Sequence, residues 1–495
     1  MKNIIKFAIL LMVLGLAAAC SEDYLDVNTD PNNPTMVTPD LILPVAQLYS
    51  ARVVQGQRGL NHISNLLMYN WSQSDGFAWY PDEFKYLVTS SFYQDIFEDS
   101  YSTALKQYEI LNNLEDSKYD YYKAIGKIMK AYHFQLLVDC YGDVPYSEAL
   151  GRSLEATPVY DDAQTIYDDL IVQLTAAIAV IDNAVDADEP AADDAMFGGE
   201  MTKWKQFANT VKLRILVRES DLASKSGYIG TELAAIAAEG SGYIDSDVGI
   251  NPGFIAESSG QQNVIWDYLG LDYTGSKTLT SKATCATDYI LNYLANLNDP
   301  RIDYLYEEPA TGHLGVPQGL LDYDTPVIDA FMPEFVSNIG PGILKSADQD
   351  AVIFSLAENY FNQAEAAAKG FLGAADGKAF YESGITASFE YLGLTAAKAK
   401  TYYGQAINLV SWEQSTNKIE AIITQKWLAV NGITAEQSWF DYSRTGFPSG
   451  LQISLLATTS DRPVRLYYVA GELSSNGANV PSQPDAFTGK VFWAN

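Results

Sequence analysis

Two short runs of this sequence interleave aromatic rings with hydrogen-bonding side chains, the mixture needed to hold a sugar. The first is Asn70-Trp71-Ser72-Gln73-Ser74-Asp75-Gly76-Phe77-Ala78-Trp79-Tyr80. The second is Gln261-Gln262-Asn263-Val264-Ile265-Trp266-Asp267-Tyr268, continuing to Asp272 and Tyr273. A flat ring offers an apolar surface to the C–H face of a sugar, while amides and carboxylates partner its hydroxyls; small-molecule sites have such mixed linings. Trp71, Trp79, Tyr80, Trp266 and Tyr268 are therefore the candidate ligand-binding residues. The competing reading is packing. In a chain with 33 tyrosines and 12% aromatic residues, any one ring has an ordinary place in a core.

Bond-making chemistry finds less support. Glycoside hydrolysis needs two carboxylates at a defined separation, and spacing along a chain with 62 Asp and Glu residues does not reveal such a pair. There is no G-x-S-x-G elbow. The nearest approach to a phosphate-binding loop, Gly377-Lys378, has Ala379 after the lysine and Leu372 where its first glycine belongs. His62, His133 and His313 are the only histidines and form no H-E-x-x-H, so no metal and no cofactor are expected. Asp26 to Asn32 alternates Asp and Asn like a calcium loop, but Pro31 stands where that loop requires Gly. Cys140 lies in an apolar helical run and Cys285 near the start of another; both are expected as buried free thiols. The chain is expected to bind without catalysing.

Cys20 is the thiol with a chemical role. Lys2 and Lys6 precede an apolar run, Phe7 to Ala19, that ends in Ala17-Ala18-Ala19-Cys20. About 13 residues are too few to cross a hydrocarbon core of roughly 30 Å, but they suit a secretory signal with a small-residue cleavage site. A Cys directly after such a site is acylated in bacterial lipoproteins, although Ala17 stands where a lipobox usually has Leu. Residues 1–19 are thus expected to be a signal peptide, with Cys20 lipidated and 20–40 a polar, turn-rich tether.

A net charge of −31 excludes nucleic acid, whose phosphates need clustered Lys and Arg, and disfavours contact with anionic membranes beyond the anchor. The elements that would position the rings read as helices. Apolar residues recur at three- and four-residue spacing over Leu105 to Leu114, Tyr121 to Tyr141, Ala163 to Ile181 and Trp204 to Val217. The same spacing continues over Ala283 to Leu297, Ala351 to Lys369, Ala396 to Val410 and Lys418 to Val430. Paired helices of this length suggest a mainly all-α helical-hairpin scaffold with few strands. Long insertions at about 70–84, 243–282 and 307–348 interrupt it, and the last two are Gly- and Pro-rich.

Several segments resemble one family. Asp139-Cys140-Tyr141-Gly142-Asp143-Val144-Pro145-Tyr146-Ser147-Glu148-Ala149 is similar to its D-x-Y-G-D-I/V-P-Y-x-E-A. Trp204 to Arg214 resembles W-x-K-F-A-N-S-L-K-L-R, and Asp299-Pro300-Arg301 its D-P-R element. Phe361, Ala364, Glu365, Ala366 and Gly370 fit F-x-x-A-E-A-x-x-R-G, with Lys369 for the usual Arg. Tyr381, Gly384, Ile385 and Ser388 fit Y-x-x-G-I-x-x-S; Ile423, Gln425, Lys426 and Trp427 fit I-x-x-Q-K-W. Trp439, Arg444, Thr445, Gly446 and Pro448 resemble W-x-x-x-R-R-T-G-x-P. Arg465 to Glu472 resembles R-I-x-Y-P-x-x-E, with Val469 for Pro. In this order the motifs resemble the SusD/RagB family, its SusD-like outer-membrane lipoprotein branch, from Cys20 to about Asn476.

That resemblance implies a scaffold of tetratricopeptide-like hairpins in one domain, 41–480, followed by a polar tail, 481–495. It implies capture of an oligosaccharide, or of a peptide, at the outer face of the outer membrane. It also implies a partner, a SusC-like TonB-dependent barrel. Asp139, Arg214, Arg301, Glu365, Lys426 and Arg444 are expected as buried polar partners between helices, and Trp427 and Trp439 as core.

Overall fold

Several helix starts in this chain are set by short polar side chains. Asp162, Thr287, Ser355, Thr395 and Asn417 each accept a hydrogen bond from the backbone N–H three residues on, satisfying an orphan donor of the first turn. The computed structural model describes residues 38–151, 156–321 and 326–494. Cys20, the signal segment and nearly all of the expected tether lie outside the described residues.

The first half runs α1 (Pro39–Gln55), α2 (Leu60–Leu67), β1 (Trp71–Gln73), α3 (Pro81–Lys85), α4 (Asp95–Asp99), a π-helical turn (Ser100–Leu105) and α5 (Lys106–Asn112). It continues with α6 (Asp120–Tyr141), β2 (Val144–Pro145), β3 (Tyr160–Asp161), α7 (Ala163–Asn183), α8 (Met201–Arg218), α9 (Ser226–Glu239) and β4 (Val248–Ile250). Next come α10 (Trp266–Leu269), α11 (Leu279–Ala283), β5 (Thr284–Ala286), α12 (Asp288–Asn296), α13 (Ile302–Leu305) and β6 (Ala351–Phe354). The chain closes with α14 (Leu356–Ala368), α15 (Gly377–Tyr391), α16 (Ala396–Tyr403), α17 (Lys418–Val430), α18 (Glu436–Thr445) and α19 (Ala470–Ser475). The strands make three two-stranded antiparallel ribbons, β1–β5, β2–β3 and β4–β6. The fold is the mainly helical one expected.

Successive helices pack as hairpins: α6 lies against α5 and α7, α7 against α8, and α14 against α15. Two glycines allow the closest approaches. A Cβ on Gly126 would come within 2.8 Å of the Tyr108 carbonyl oxygen, and one on Gly384 within 2.9 Å of the Phe361 ring.

Three segments differ from the helical spacing. Ala351-Val352-Ile353-Phe354 is a strand, because a short apolar run has no period of its own; Ser355 then caps α14, its hydroxyl accepting from the Glu358 N–H. Ala283 to Leu297 is broken by β5, so Cys285 lies in a strand opposite Ser72 instead of in a helix. The run from Ala396 stops at Tyr403. Trp493 is buried, and the Arg218 guanidinium lies 5.4 Å from its ring centroid.

The polar motif residues meet in one buried ionic network. Asp441 on α18 pairs with Arg218 on α8 and Lys426 on α17, each at 2.8 Å, and with Arg444 at 3.3 Å. Arg444 grips Glu365 on α14 bidentately at 2.6 and 2.8 Å and reaches Asp221 at 2.7 Å. Arg218 also faces Asp139 at 3.8 Å, and Arg214 faces Glu358 at 3.5 Å. Arg301 is held separately by Asp299, Ser388 and Gln425. Buried ions left single are costly, so these partners fix how the hairpins dock. Trp427 and Trp439 are core, as expected.

Candidate functional site

The ribbon β1–β5 sets Trp71 opposite Ala286, and all three residues of β1 are buried. Trp71 is only 1% exposed and lies 6.0 Å, centroid to centroid, from the His62 ring. Tyr80, 2% exposed, and Tyr268, 7% exposed, approach the same imidazole at 5.5 and 5.7 Å. Three of the five candidate rings therefore do come together, but as a layer inside the protein. The Tyr80 hydroxyl bonds Thr284 Oγ1 at 2.6 Å, and the Tyr93 hydroxyl lies 3.1 Å from His62 Nδ1. Burial pushes the His62 imidazole down to about 3, so the layer is uncharged at neutral pH. Burial likewise pushes the Tyr80 and Tyr268 phenols up. Trp71, Tyr80 and Tyr268 thus present no open face to a ligand; they are packing.

Trp79 and Trp266 are half-buried. Trp79 meets Phe77 edge-on, with centroids 5.9 Å apart. The polar side chains of this run are spent on holding it. Gln73 Oε1 accepts from the Trp79 N–H at 2.8 Å while its Nε2 donates to the Leu321 carbonyl at 2.8 Å. Asp75 accepts from the backbone N–H groups of Gly76 and Ile328, and its own N–H donates to the Phe331 carbonyl at 2.7 Å. Trp266 opens α10, where Asn263 Oδ1 accepts from its N–H at 3.1 Å. Its ring covers Gly270, at which a Cβ would come within 2.6 Å of the indole.

The three long insertions are stitched together by these contacts. Ser74 N–H donates to the Ala283 carbonyl at 2.8 Å, and Lys277 pairs with Glu307 at 3.0 Å. Cys285, Val316, Leu321 and Val336 form a small apolar core beneath them. The joined loops carry half-exposed Phe77 and Trp79 together with exposed Tyr273 (57%), Leu279, Val327 and Phe335. Of these, Phe77 and Trp79 are in ring contact, and the backbone that carries them is held by Gln73 and Asp75. Tyr273, Val327 and Phe335 were not among the candidate residues, although their loops were; exposure of a single ring has no signature in sequence.

Asp303, Glu308 and His313 each bring one ligand atom to within 4.8 Å of the others. His313 Nε2 lies 3.0 Å from Asp303 and Nδ1 lies 3.0 Å from Ser337 Oγ, so both imidazole nitrogens have protein partners.

A family model described as SusD-like, starch-binding associating with outer membrane, matches residues 31–468. Among solved structures, a chitin-binding protein 24% identical covers 92% of this chain and 100% of its own, with a TM-score of 0.72. A chitin-binding SusD homologue from Flavobacterium johnsoniae is 21% identical over 92% of this chain and 98% of its own, TM-score 0.75. A SusD homologue from Bacteroides uniformis is 22% identical over 92% and 99%, TM-score 0.71. At these identities the structures speak for the fold. No curated protein matches the chain. With the family model spanning nearly its whole length and the hairpin scaffold to match, the chain belongs to the SusD-like family.

Proposed function

We propose that this protein is a non-enzymatic, lipid-anchored receptor at the outer face of the outer membrane that captures an oligosaccharide and passes it to a SusC-like TonB-dependent barrel. The observation that carries the reading is the family match over residues 31–468. Two of the similar structures are chitin-binding proteins, which makes β-linked N-acetylglucosamine oligomers the first ligands to try. The braced loop face supports capture without chemistry. Its half-exposed Trp79 and Phe77 and exposed Tyr273 supply ring faces, while Gln73 and Asp75 are committed to the backbone. A rigid platform loses little conformational freedom when a flexible sugar docks.

Calorimetric titration of the mature chain with chito-oligosaccharides, malto-oligosaccharides and short peptides tests the ligand class. Saturable glycan binding with no release of reducing ends is expected; hydrolysis, or binding confined to peptides, overturns the glycan reading. Co-purification with a SusC-like barrel is the expected partner result. Cys20→Ala should shift the protein out of the membrane fraction, and unchanged fractionation without lipid on the N-terminal peptide would remove the anchor from the proposal.

A further inference from the structure

We infer that Gln318 is a positioning residue of the loop face: its buried amide holds the backbone that aims Trp79 and draws residues 446–462 into the face as a fourth loop. The inference rests on the reading that this face takes the glycan. Gln318 is fully buried within the insertion 307–348. Its Nε2 donates to two carbonyls, Trp71 at 2.6 Å and Leu66 at 2.7 Å, while its Oε1 has no hydrogen-bond partner among the described residues. The side chain therefore works as a donor, and β1 needs one on this edge. Ala286, opposite Trp71 in β5, spends its own N–H on the Ser337 carbonyl at 2.8 Å and its carbonyl on the Val316 N–H at 3.0 Å. A buried carbonyl left unpaired is costly, and the Gln318 amide stands where a further strand would.

From Gln318 the hydrogen bonds run to the ligand side. Leu321 gives its carbonyl to Gln73 Nε2 at 2.8 Å, and the oxygen of that amide takes the Trp79 N–H at 2.8 Å. A shift of residues 318–321 therefore turns the Gln73 amide, and Trp79 loses the acceptor that sets it. The Gln318 backbone is engaged as well. Its N–H donates to the Tyr69 hydroxyl at 3.2 Å. Tyr69 turns the chain from α2 into β1 with φ 60°, a left-handed conformation that a bulky residue keeps only where its surroundings fix it. The Gln318 carbonyl accepts from the Leu455 N–H at 2.9 Å, and this bond brings in residues 446–462. A Cβ on Gly319 would come within 2.7 Å of the Leu456 nitrogen and of Ser454 Oγ, so glycine lets that segment lie directly on the turn. The Thr458 N–H then reaches the Lys85 carbonyl, at the end of α3, at 3.1 Å. Leu455, 64% exposed, is an apolar side chain that this fourth loop presents.

The test is amide hydrogen exchange together with calorimetric titration against chitotetraose, both on the full mature chain. Gln318→Met keeps the volume and removes the side-chain donors. Exchange over 314–321 and 453–458 should quicken roughly 5- to 150-fold, the span of two lost hydrogen bonds, with α6 and α14 unchanged. Affinity for chitotetraose should fall roughly 2- to 12-fold, as expected when one more side chain must be ordered on docking. Tyr69→Phe removes only the hydroxyl that takes the Gln318 N–H, and it should loosen the same two segments; it carries the test if Gln318→Met does not fold. A merely structural glutamine would lower the melting midpoint and raise exchange along the whole chain, with the affinity of the folded fraction as in the parent. That result overturns the inference, and so does local loosening with affinity unchanged. If the parent itself does not take up chitotetraose, the chitin-type ligand is what fails, and local exchange alone decides for or against Gln318.

Discussion

Trp71→Ala and Trp79→Ala separate the core from the binding face, although the two rings belong to one sequence cluster. The Trp71 indole is buried in β1 beside His62, and truncating a fully buried Trp typically costs about 3–5 kcal/mol, part transfer and part cavity. Unfolding entropy near 60 °C is about 2.1 cal/mol/K per residue, which for a chain of this size comes to roughly 1 kcal/mol/K. The midpoint should therefore fall by about 3–5 °C, with glycan affinity of the folded fraction unchanged. Trp79 is half-buried and touches Phe77, so its loss should move the midpoint by no more than about 1 °C. Affinity should drop by about 5- to 150-fold, the roughly 1–3 kcal/mol of a lost stacking ring by analogy with base stacking. Differential scanning fluorimetry and calorimetric titration on the same samples read both. Trp71→Ala with an unshifted midpoint and abolished binding would falsify the assignment of that ring to the core.

Three further outcomes are expected. Burial pushes the Asp441 carboxyl up, but Lys426, Arg218 and Arg444 outweigh it and hold the group well below the usual carboxylate range. Its stabilisation is thus present above about pH 4 and lost as pH falls below that; Asp441→Asn, leaving three cations short of a partner, should cost about 3–5 kcal/mol at pH 7 and flatten the acid limb of a melting-versus-pH curve. Burial raises Glu436 to about 8, against the lowering effect of its own backbone N–H and of Arg214. A raised carboxyl favours the fold below about pH 4.5 and loses that contribution as pH climbs through 8, so Glu436→Gln should raise the midpoint more at pH 9 than at pH 5; an equal gain at both would contradict this. Burial pushes the Cys140 and Cys285 thiols up, so a disulfide reagent at pH 8 should label neither in the folded protein and both in urea.

The sequence showed the scaffold where periodicity ran long: α6, α7, α8 and α17 lie close to where spacing placed them. It misplaced short apolar runs such as Ala351 to Phe354, whose strand exists only because β4, about a hundred residues earlier, lies beside it. The ring clusters show the other limit. Trp71 and Trp79 are alternately apolar-flanked in the same run, and what divides them is His62 beneath one and solvent beside the other, neither visible from spacing. The loops at 243–282 and 307–348 were recognisable as long insertions, but the bracing of the second by Gln73 and Asp75 was not, since those side chains resemble sugar-binding groups in sequence. Asp139, Arg214, Glu365, Lys426 and Arg444 were expected as buried partners; their assembly around Asp441 needed the fold.

The ionic network also sets the order in which this chain becomes a protein. Arg214 and Arg218 arrive on α8, but Glu358 and Glu365 arrive on α14, and Asp441 comes only with α18. A nascent chain, made from its N-terminus, can lay down the α6–α7–α8 hairpins early, with Asp139 already facing Arg218, yet cannot complete the network until Glu358, Glu365 and Asp441 are made. The keystone is thus α18, near the end of the chain, and Trp493, against Arg218, is set later still. A truncation ending before residue 445 should therefore give an open, protease-sensitive chain instead of a smaller stable domain. Any display or fusion partner placed at the C-terminus needs a linker beyond Trp493 if the lock is to shut.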